Sequence, residues 1–217
     1  GVHFLASGTA PTVLVVRDDS TDAGVQAVTP QGERSTLVVV DTESRLLPST
    51  EAGARVGRIA RELVGAGYTP FFKKVDSTLR GNVGPEIDAV LEALDWSLAA
   101  VIPAVPAAER VVEHGRLLVR GVPLGESESG LDALSPHKSS SVLDILSSGS
   151  RRSVGLVDGR FVRSTPGGLE AELERRVAGG TEVFVFDAAT DHDIGRIIQA
   201  VDHLEEPVLL AGAAGLA

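Results

Sequence analysis

The chain of 217 residues has no cysteine and no methionine. Without cysteine it can hold no disulfide framework, no thiolate metal site and no cysteine nucleophile, and a reducing cytoplasm suits it. Aromatic residues are scarce at 4%, so Ala, Val and Leu must supply most of the apolar surface. That balance fits β-branched strands alternating with Ala/Leu helices. Basic residues number 20 against 30 acidic ones, and the net charge of -10 argues against a phosphate-backbone surface. No apolar run approaches the roughly 20 residues of a membrane span. No charged-then-apolar leader opens the chain either. The expected partners are therefore neither nucleic acid nor membrane, and the expected location is cytoplasmic. Because no methionine opens the chain and Gly1–Gly8 reads as the second half of a helix ended by glycine, an upstream segment is expected.

Several catalytic signatures are also missing. There is no G-x-x-x-x-G-K-[ST] phosphate loop, no G-x-G-x-x-G fingerprint after a strand and no G-x-S-x-G elbow. His3, His114, His137, His192 and His203 show no close ligand pair, so no metal site is expected.

What is present is a repeated strand–helix alternation. Short β-branched or apolar runs at Thr12–Val16, Leu37–Val40, Phe71–Val75, Leu98–Ile102, Val154–Val157, Val183–Phe186 and Val208–Leu210 read as strands. Helical spacing covers Thr50–Val64, with Ala54, Val56, Ile59, Ala60 and Leu63 inward, and Asn82–Leu94, with Ile87, Val90, Leu91 and Leu94 inward. It recurs over Gly168–Val177 and Asp191–Leu204, the latter capped by Thr190 or Asp191. Arg110–Pro123, with glycines at 115 and 121 between apolar runs, reads as a hairpin or ribbon. The expected fold is α/β: one doubly wound, mostly parallel sheet with helices on both faces and an appended β-hairpin.

In such sheets ligands bind outside the carboxyl ends of the strands. Two polar loops fall there, Asp41–Arg45 and Lys73–Asn82. Lys74 and Arg80 supply positive charge, while Ser77, Thr78 and Asn82 supply neutral hydrogen bonds beside a helix start. An anion is the expected ligand. Asp76 would repel a plain anion but suits one that carries hydroxyl groups, whose proton or hydrogen bond it can accept. The alternative is local pairing of Asp76 with Lys74 or Arg80 while Ser77 and Thr78 cap a helix. Ser139, Ser140 and Ser141 likewise read either as ligand hydroxyls or as an N-cap at Ser139 or Ser140 for the helix through Leu146. The acidic run Asp18-Asp19-Ser20-Thr21 reads as a solvated turn.

The stretch Lys73-Lys74-Val75-Asp76-Ser77-Thr78-Leu79-Arg80-Gly81-Asn82-Val83-Gly84 closely resembles a signature of the four-carbon acid sugar kinases. Asp41-Thr42-Glu43-Ser44-Arg45 upstream, with Gly115-Arg116-Leu117 and Gly121-Val122-Pro123-Leu124 downstream, extends the likeness over essentially the whole chain. The resemblance implies two-domain enzymes that use ATP and Mg to phosphorylate the terminal hydroxyl of threonate, erythronate or 3-oxo-tetronates. It implies that residues 1–217 form the single sugar-acid-binding domain. An opening strand with an acidic loop, and a carboxyl-terminal nucleotide-binding domain, would then lie outside the chain, which alone would be inactive. Asp41, Ser44, Arg45, Lys74, Asp76, Ser77, Arg80 and Asn82 would line the acid site, with Ser139–Ser141 as additions. Lys74 and Arg80 would hold the carboxylate or offset transition-state charge, and Asp76 would orient or deprotonate the acceptor hydroxyl. Glu109 stands where the family usually has glycine before Arg110, Gly125 replaces a larger polar residue and Ala213 replaces a serine. A homodimer is compatible with the sequence. The rival expectation is a stand-alone module that binds a sugar acid or a partner without catalysis.

Overall fold

The computed structural model describes residues 13–17, 37–68, 72–131 and 139–213. The Asp18–Thr21 run, the Gly1–Gly8 segment, His3 and His137 lie outside the described residues. Strands β1 (Val13–Arg17) and β2 (Leu37–Asp41) pair in parallel. The main sheet is built from β3 (Phe72–Lys74), β4 (Leu98–Ile102), β8 (Val154–Val157), β9 (Val183–Phe186) and β10 (Val208–Gly212). Its order is β3-β10-β4-β9-β8 and every pairing is parallel, so all five carboxyl ends share one edge. The last strand enters between the first and second of the sheet, an arrangement no local pattern specifies.

Helices cover both faces, as a parallel sheet requires. All five residues of β4 are buried, and they alternate between two cores. Ala99 and Val101 face α1 (Ser49–Gly65), α2 (Val83–Leu94) and α3 (Val142–Ser147) through Val56, Ile87, Leu91 and Leu146. Leu98, Ala100 and Ile102 face α5 (Gly168–Ala178) and α6 (Asp191–Asp202) through Leu169, Leu173, Ile194 and Ile197. This side also takes α4 (Gly159–Val162), a single turn too short for periodicity to reveal. Across the α1–α2 contact, Gly57 is in van der Waals reach of Ala89, so small side chains let the two helices approach closely.

The expected hairpin is a three-stranded antiparallel ribbon of β5 (Arg110–Glu113), β6 (Arg116–Val119) and β7 (Val122–Pro123). Both of its turns have two central residues at positive φ: His114 and Gly115 at 52° and 71°, Arg120 and Gly121 at 51° and 75°. That is the hairpin geometry whose twist matches the strands. The ribbon is pinned to the sheet through Val112, which exchanges backbone hydrogen bonds with Ala188 beyond β9. Of three expected caps, the one at Thr190 is found and two differ. Ser141, rather than Ser139 or Ser140, accepts from Asp144 N to cap α3. Thr190 caps α6 in a full capping box with Asp193. Asn82 stands at the N-cap of α2 but spends its side chain elsewhere.

Glu109 has φ 52° just after the turn Pro106–Ala108. A side chain there costs about 1–2 kcal/mol, more than the roughly 0.5–1 kcal/mol of chain entropy that a glycine adds. Its ion pair with Arg120 is long, at 3.8 Å, with the Glu109 side chain 73% exposed, and offsets little. Glu109→Gly is therefore expected to raise the melting temperature by roughly 1–3 °C. A fall on differential scanning calorimetry would show that the pair outweighs the strain.

Candidate functional site

The site starts where β3 stops. Val75 N donates to Gly212 O of β10 at 2.9 Å, and the chain then leaves the sheet in a turn closed by Leu79 N to Asp76 O at 2.9 Å. Leu79 has φ 58° yet is buried to 1% exposure, so core packing holds the turn in a strained backbone state. The turn wraps around the Asp76 carboxylate. Its Oδ2 accepts from Thr78 Oγ1 at 2.6 Å, Thr78 N at 3.2 Å, Arg80 N at 3.4 Å and Arg80 Nε at 2.9 Å. Its Oδ1 accepts from Arg80 Nη2 at 3.1 Å and Arg45 Nη2 at 3.4 Å. Burial alone would push this carboxyl up, but the hydrogen bonds from Arg80 and Thr78 outweigh it and hold it well below the usual carboxylate range.

The Asp41–Arg45 loop meets this turn. Asp41 is exposed, and its Oδ1 accepts from Glu43 N at 3.1 Å. Asn82 Nδ2 donates to Ser44 O at 3.1 Å and to Leu47 O at 2.9 Å, tying the loop to the start of α2. Gly81, at φ 94°, lies under the loop, where a Cβ would come 3.2 Å from Arg45 Cα. Two residues the sequence reading did not assign complete the junction. Glu86, buried in the first turn of α2, accepts from Ser44 Oγ at 2.6 Å and pairs with Lys73 Nζ at 2.6 Å.

Four cations thus gather around two carboxylates, and they are not equally engaged. Arg80 and Lys73 are held in short pairs with Asp76 and Glu86. Arg45 reaches Asp76 only at 3.4 Å with its side chain 51% exposed, and Lys74 Nζ donates to the neutral Val75 carbonyl at 2.7 Å. Burial pushes the Lys74 ammonium below its ordinary value, Asp76 pulls it back up, and Lys73 and Arg45 push it further down. An anion near Arg45 and Lys74 would relieve that repulsion. Ser77 is half-buried beside them, and its hydroxyl meets no partner among the described residues.

Asp41, Ser44, Arg45, Lys74, Asp76, Ser77, Thr78, Arg80 and Asn82 therefore fall in two adjoining loops. Ser139, Ser140 and Ser141 are engaged elsewhere. Ser139 Oγ donates to Asp144 Oδ2, Ser140 Oγ accepts from Gly125 N, and Ser141 caps α3. Their hydroxyls thus hold Gly125 and the start of α3. His114, Asp158 and Asp187 offer ligand atoms within 4.8 Å of one another, a grouping that sequence spacing hid. The buried Asp187, however, already accepts the backbone N–H groups of His114 at 2.9 Å, Gly115 at 2.7 Å and Gly159 at 3.0 Å. It anchors the ribbon and α4 at the end of β9.

The model of the sugar-binding N-terminal domain family matches residues 2–217 of this chain. A D-threonate kinase of Salmonella typhimurium is 35% identical over 215 residues, 99% of this chain and 50% of that relative. A D-erythronate kinase of Heliobacterium modesticaldum is 36% identical over 167 residues, 76% of this chain and 38% of that relative. A solved structure from Bordetella bronchiseptica, titled as a domain of unknown function with bound citrate in a domain-swapped dimer, superposes with a TM-score of 0.75 at 30% identity. It covers 95% of this chain and 49% of its own. The chain belongs to the four-carbon acid sugar kinase family and corresponds to its sugar-binding N-terminal domain. It spans about half the length of the full kinases it matches.

Proposed function

We propose that this chain is the acceptor-binding domain of an ATP-dependent kinase that phosphorylates the terminal hydroxyl of threonate, erythronate or a 3-oxo-tetronate. The observation that carries the reading is the pair of under-engaged cations, Arg45 and Lys74, beside the Asp76–Arg80 turn. Arg45 and Lys74 receive the substrate carboxylate. Ser77 and Asp76 meet its hydroxyl groups, and Arg80 offsets charge that develops on the transferred phosphoryl group. Of the two roles expected for Asp76, orientation fits better than proton abstraction, because a carboxylate held by this many donors is a weak base. The citrate bound by the Bordetella relative, itself a hydroxy acid, supports the choice of ligand, and that relative's dimer supports a homodimer here.

Asp76 and Glu86 are both taken up by cations and hydroxyls, and Asp41 is exposed. MgATP is therefore assigned to a nucleotide-binding domain outside these residues, with phosphoryl transfer arising when the two halves align acceptor and donor. Among the described residues no helix is long and apolar enough to cross a membrane, which suits the cytoplasmic role of such a kinase.

A thermal-shift titration of the chain with D-threonate, D-erythronate, a 3-oxo-tetronate and ATP, each alone, tests the reading. A ligand at a hundred times its Kd stabilises by about 2.7 kcal/mol, a rise of roughly 5–10 °C for a domain of this size. The expected result is a rise with a four-carbon acid and none with ATP. A rise with ATP alone would reassign the chain to the nucleotide side, and no rise with any acid would overturn the proposal.

A further inference from the structure

Glu86 is placed unlike an ordinary helix-start acid. A carboxylate in the first turn gains from the helix dipole while still in water, but this one turns inward, with its side chain 9% exposed. Its two oxygens divide between two segments: Oε1 accepts from Ser44 Oγ in the loop after β2, and Oε2 pairs with Lys73 Nζ in β3. One helical turn earlier, Asn82 holds the carbonyls of Ser44 and Leu47. The turn from Ser44 to Leu47, closed by Leu47 N to Ser44 O at 3.2 Å, is therefore clamped at both ends by α2. Arg45 projects from that clamped turn toward Asp76.

A buried ion pair contributes little net stability relative to apolar residues of the same volume. The distinctive consequence of Glu86 is thus geometric. We propose that Glu86 is a positioning residue for acid recognition: by gripping Ser44 and Lys73 together it fixes the 44–47 turn against β3 and so sets where Arg45 stands beside Asp76. The same pair neutralises Lys73, which keeps the anion-attracting charge on Arg45 and Lys74 and defines one carboxylate position rather than two. This inference rests on the reading of Arg45 as a ligand of the substrate carboxylate.

Two measurements on the chain test it. In a double-mutant cycle read by calorimetric Kd for D-erythronate and D-threonate, Glu86→Gln is expected to weaken binding about tenfold in the parent chain but under about twofold when Arg45 is already alanine. Equal losses in both backgrounds would overturn the proposal, since a purely structural Glu86 would act independently of Arg45. The second measurement needs no ligand. Amide exchange at Leu47 is expected to quicken in Glu86→Gln and in Ser44→Ala, while amides of β4 and β9 keep their protection. Unchanged exchange at Leu47, or a uniform loss across the sheet, would refute the clamp. If the parent chain binds neither acid, the functional reading fails, and the exchange result alone decides whether Glu86 fixes the turn.

Discussion

Asp76→Asn is expected to cost the chain about 2–3 kcal/mol at neutral pH, a fall in melting temperature of roughly 5–10 °C. The substitution preserves volume, so packing does not account for it. The cause is that every group facing this carboxylate is a donor: Thr78 N and Oγ1, Arg80 N and Nε on one oxygen, the Nη2 atoms of Arg80 and Arg45 on the other. Whichever way the new amide turns, its NH2 confronts donors, and Arg80 loses its counter-charge at a position where its side chain is only 26% exposed. Breaking a fully buried pair costs more, and the residual exposure of Arg80 reduces the figure.

The pH dependence has a definite sign. In the folded chain the Asp76 pKa lies below its ordinary value, so its stabilising contribution is complete while the unfolded carboxyl is also ionised. That contribution erodes as pH falls below about 4, where the unfolded chain takes up the proton first. The gap in melting temperature between parent and Asp76→Asn should accordingly stay level through the neutral range and narrow below about pH 4. Asp193 and Glu172 are also held below their ordinary values, by bonds from Arg163 and from Arg175 and Arg176 that outweigh burial, so the mutant keeps an acid-sensitive limb of its own. A gap as wide at pH 3 as at neutral pH would show that Asp76 is not the ionised hub of the turn.

The parts of the site that could be read from the sequence are those set by local chemistry. Val183–Phe186 and Leu98–Ile102 are strands at their expected bounds, because fully buried strands are continuous apolar runs that end sharply in polar residues or proline. Both the 41–45 and the 73–82 loop follow the carboxyl end of a parallel strand, which is where a ligand is sought in such folds. Strand β2, however, pairs with β1 in a sheet of its own, and the two loops are joined by Asn82 on Ser44 O and Leu47 O and by Glu86 on Ser44 Oγ. What the sequence hid depends on partners distant in the chain. Asn82 resembles a helix cap, yet its amide is claimed by carbonyls 35 and 38 residues away. Glu86 left a trace, since it falls three residues after Val83 and four before Val90 on the inward face of α2, and a charged residue on such a face must have a buried partner. Which partner it has is decided by the fold. The insertion of β10 between β3 and β4 was invisible for the same reason.

Gly84→Ala carries the second large effect, and here two rules give opposite signs. Gly84 lies in the first turn of α2, and by helix propensity alanine should be favoured by about 1 kcal/mol. A Cβ at this position, however, would sit 2.3 Å from Leu146 O and 3.2 Å from Ser150 Cβ. The first neighbour is the backbone of α3, which cannot swing aside as a side chain would, so the helices must separate by about 1 Å to reach ordinary carbon–oxygen contact. Overpacking of this kind costs about 1–3 kcal/mol or more and exceeds the propensity gain. The expected result is a melting temperature lower by roughly 4–8 °C. Gly195, on the exposed side of α6, has nothing within 4 Å of its would-be Cβ. There the same substitution should follow propensity alone and raise the melting temperature by roughly 1–3 °C. If both variants shifted the same way, the close approach of α2 to α3 would not be what demands glycine. Because Asn82 and Glu86 flank Gly84 on the same helical turn, the displacement in Gly84→Ala should also reach the 44–47 loop. Acid binding is then expected to weaken in this variant and to persist in Gly195→Ala.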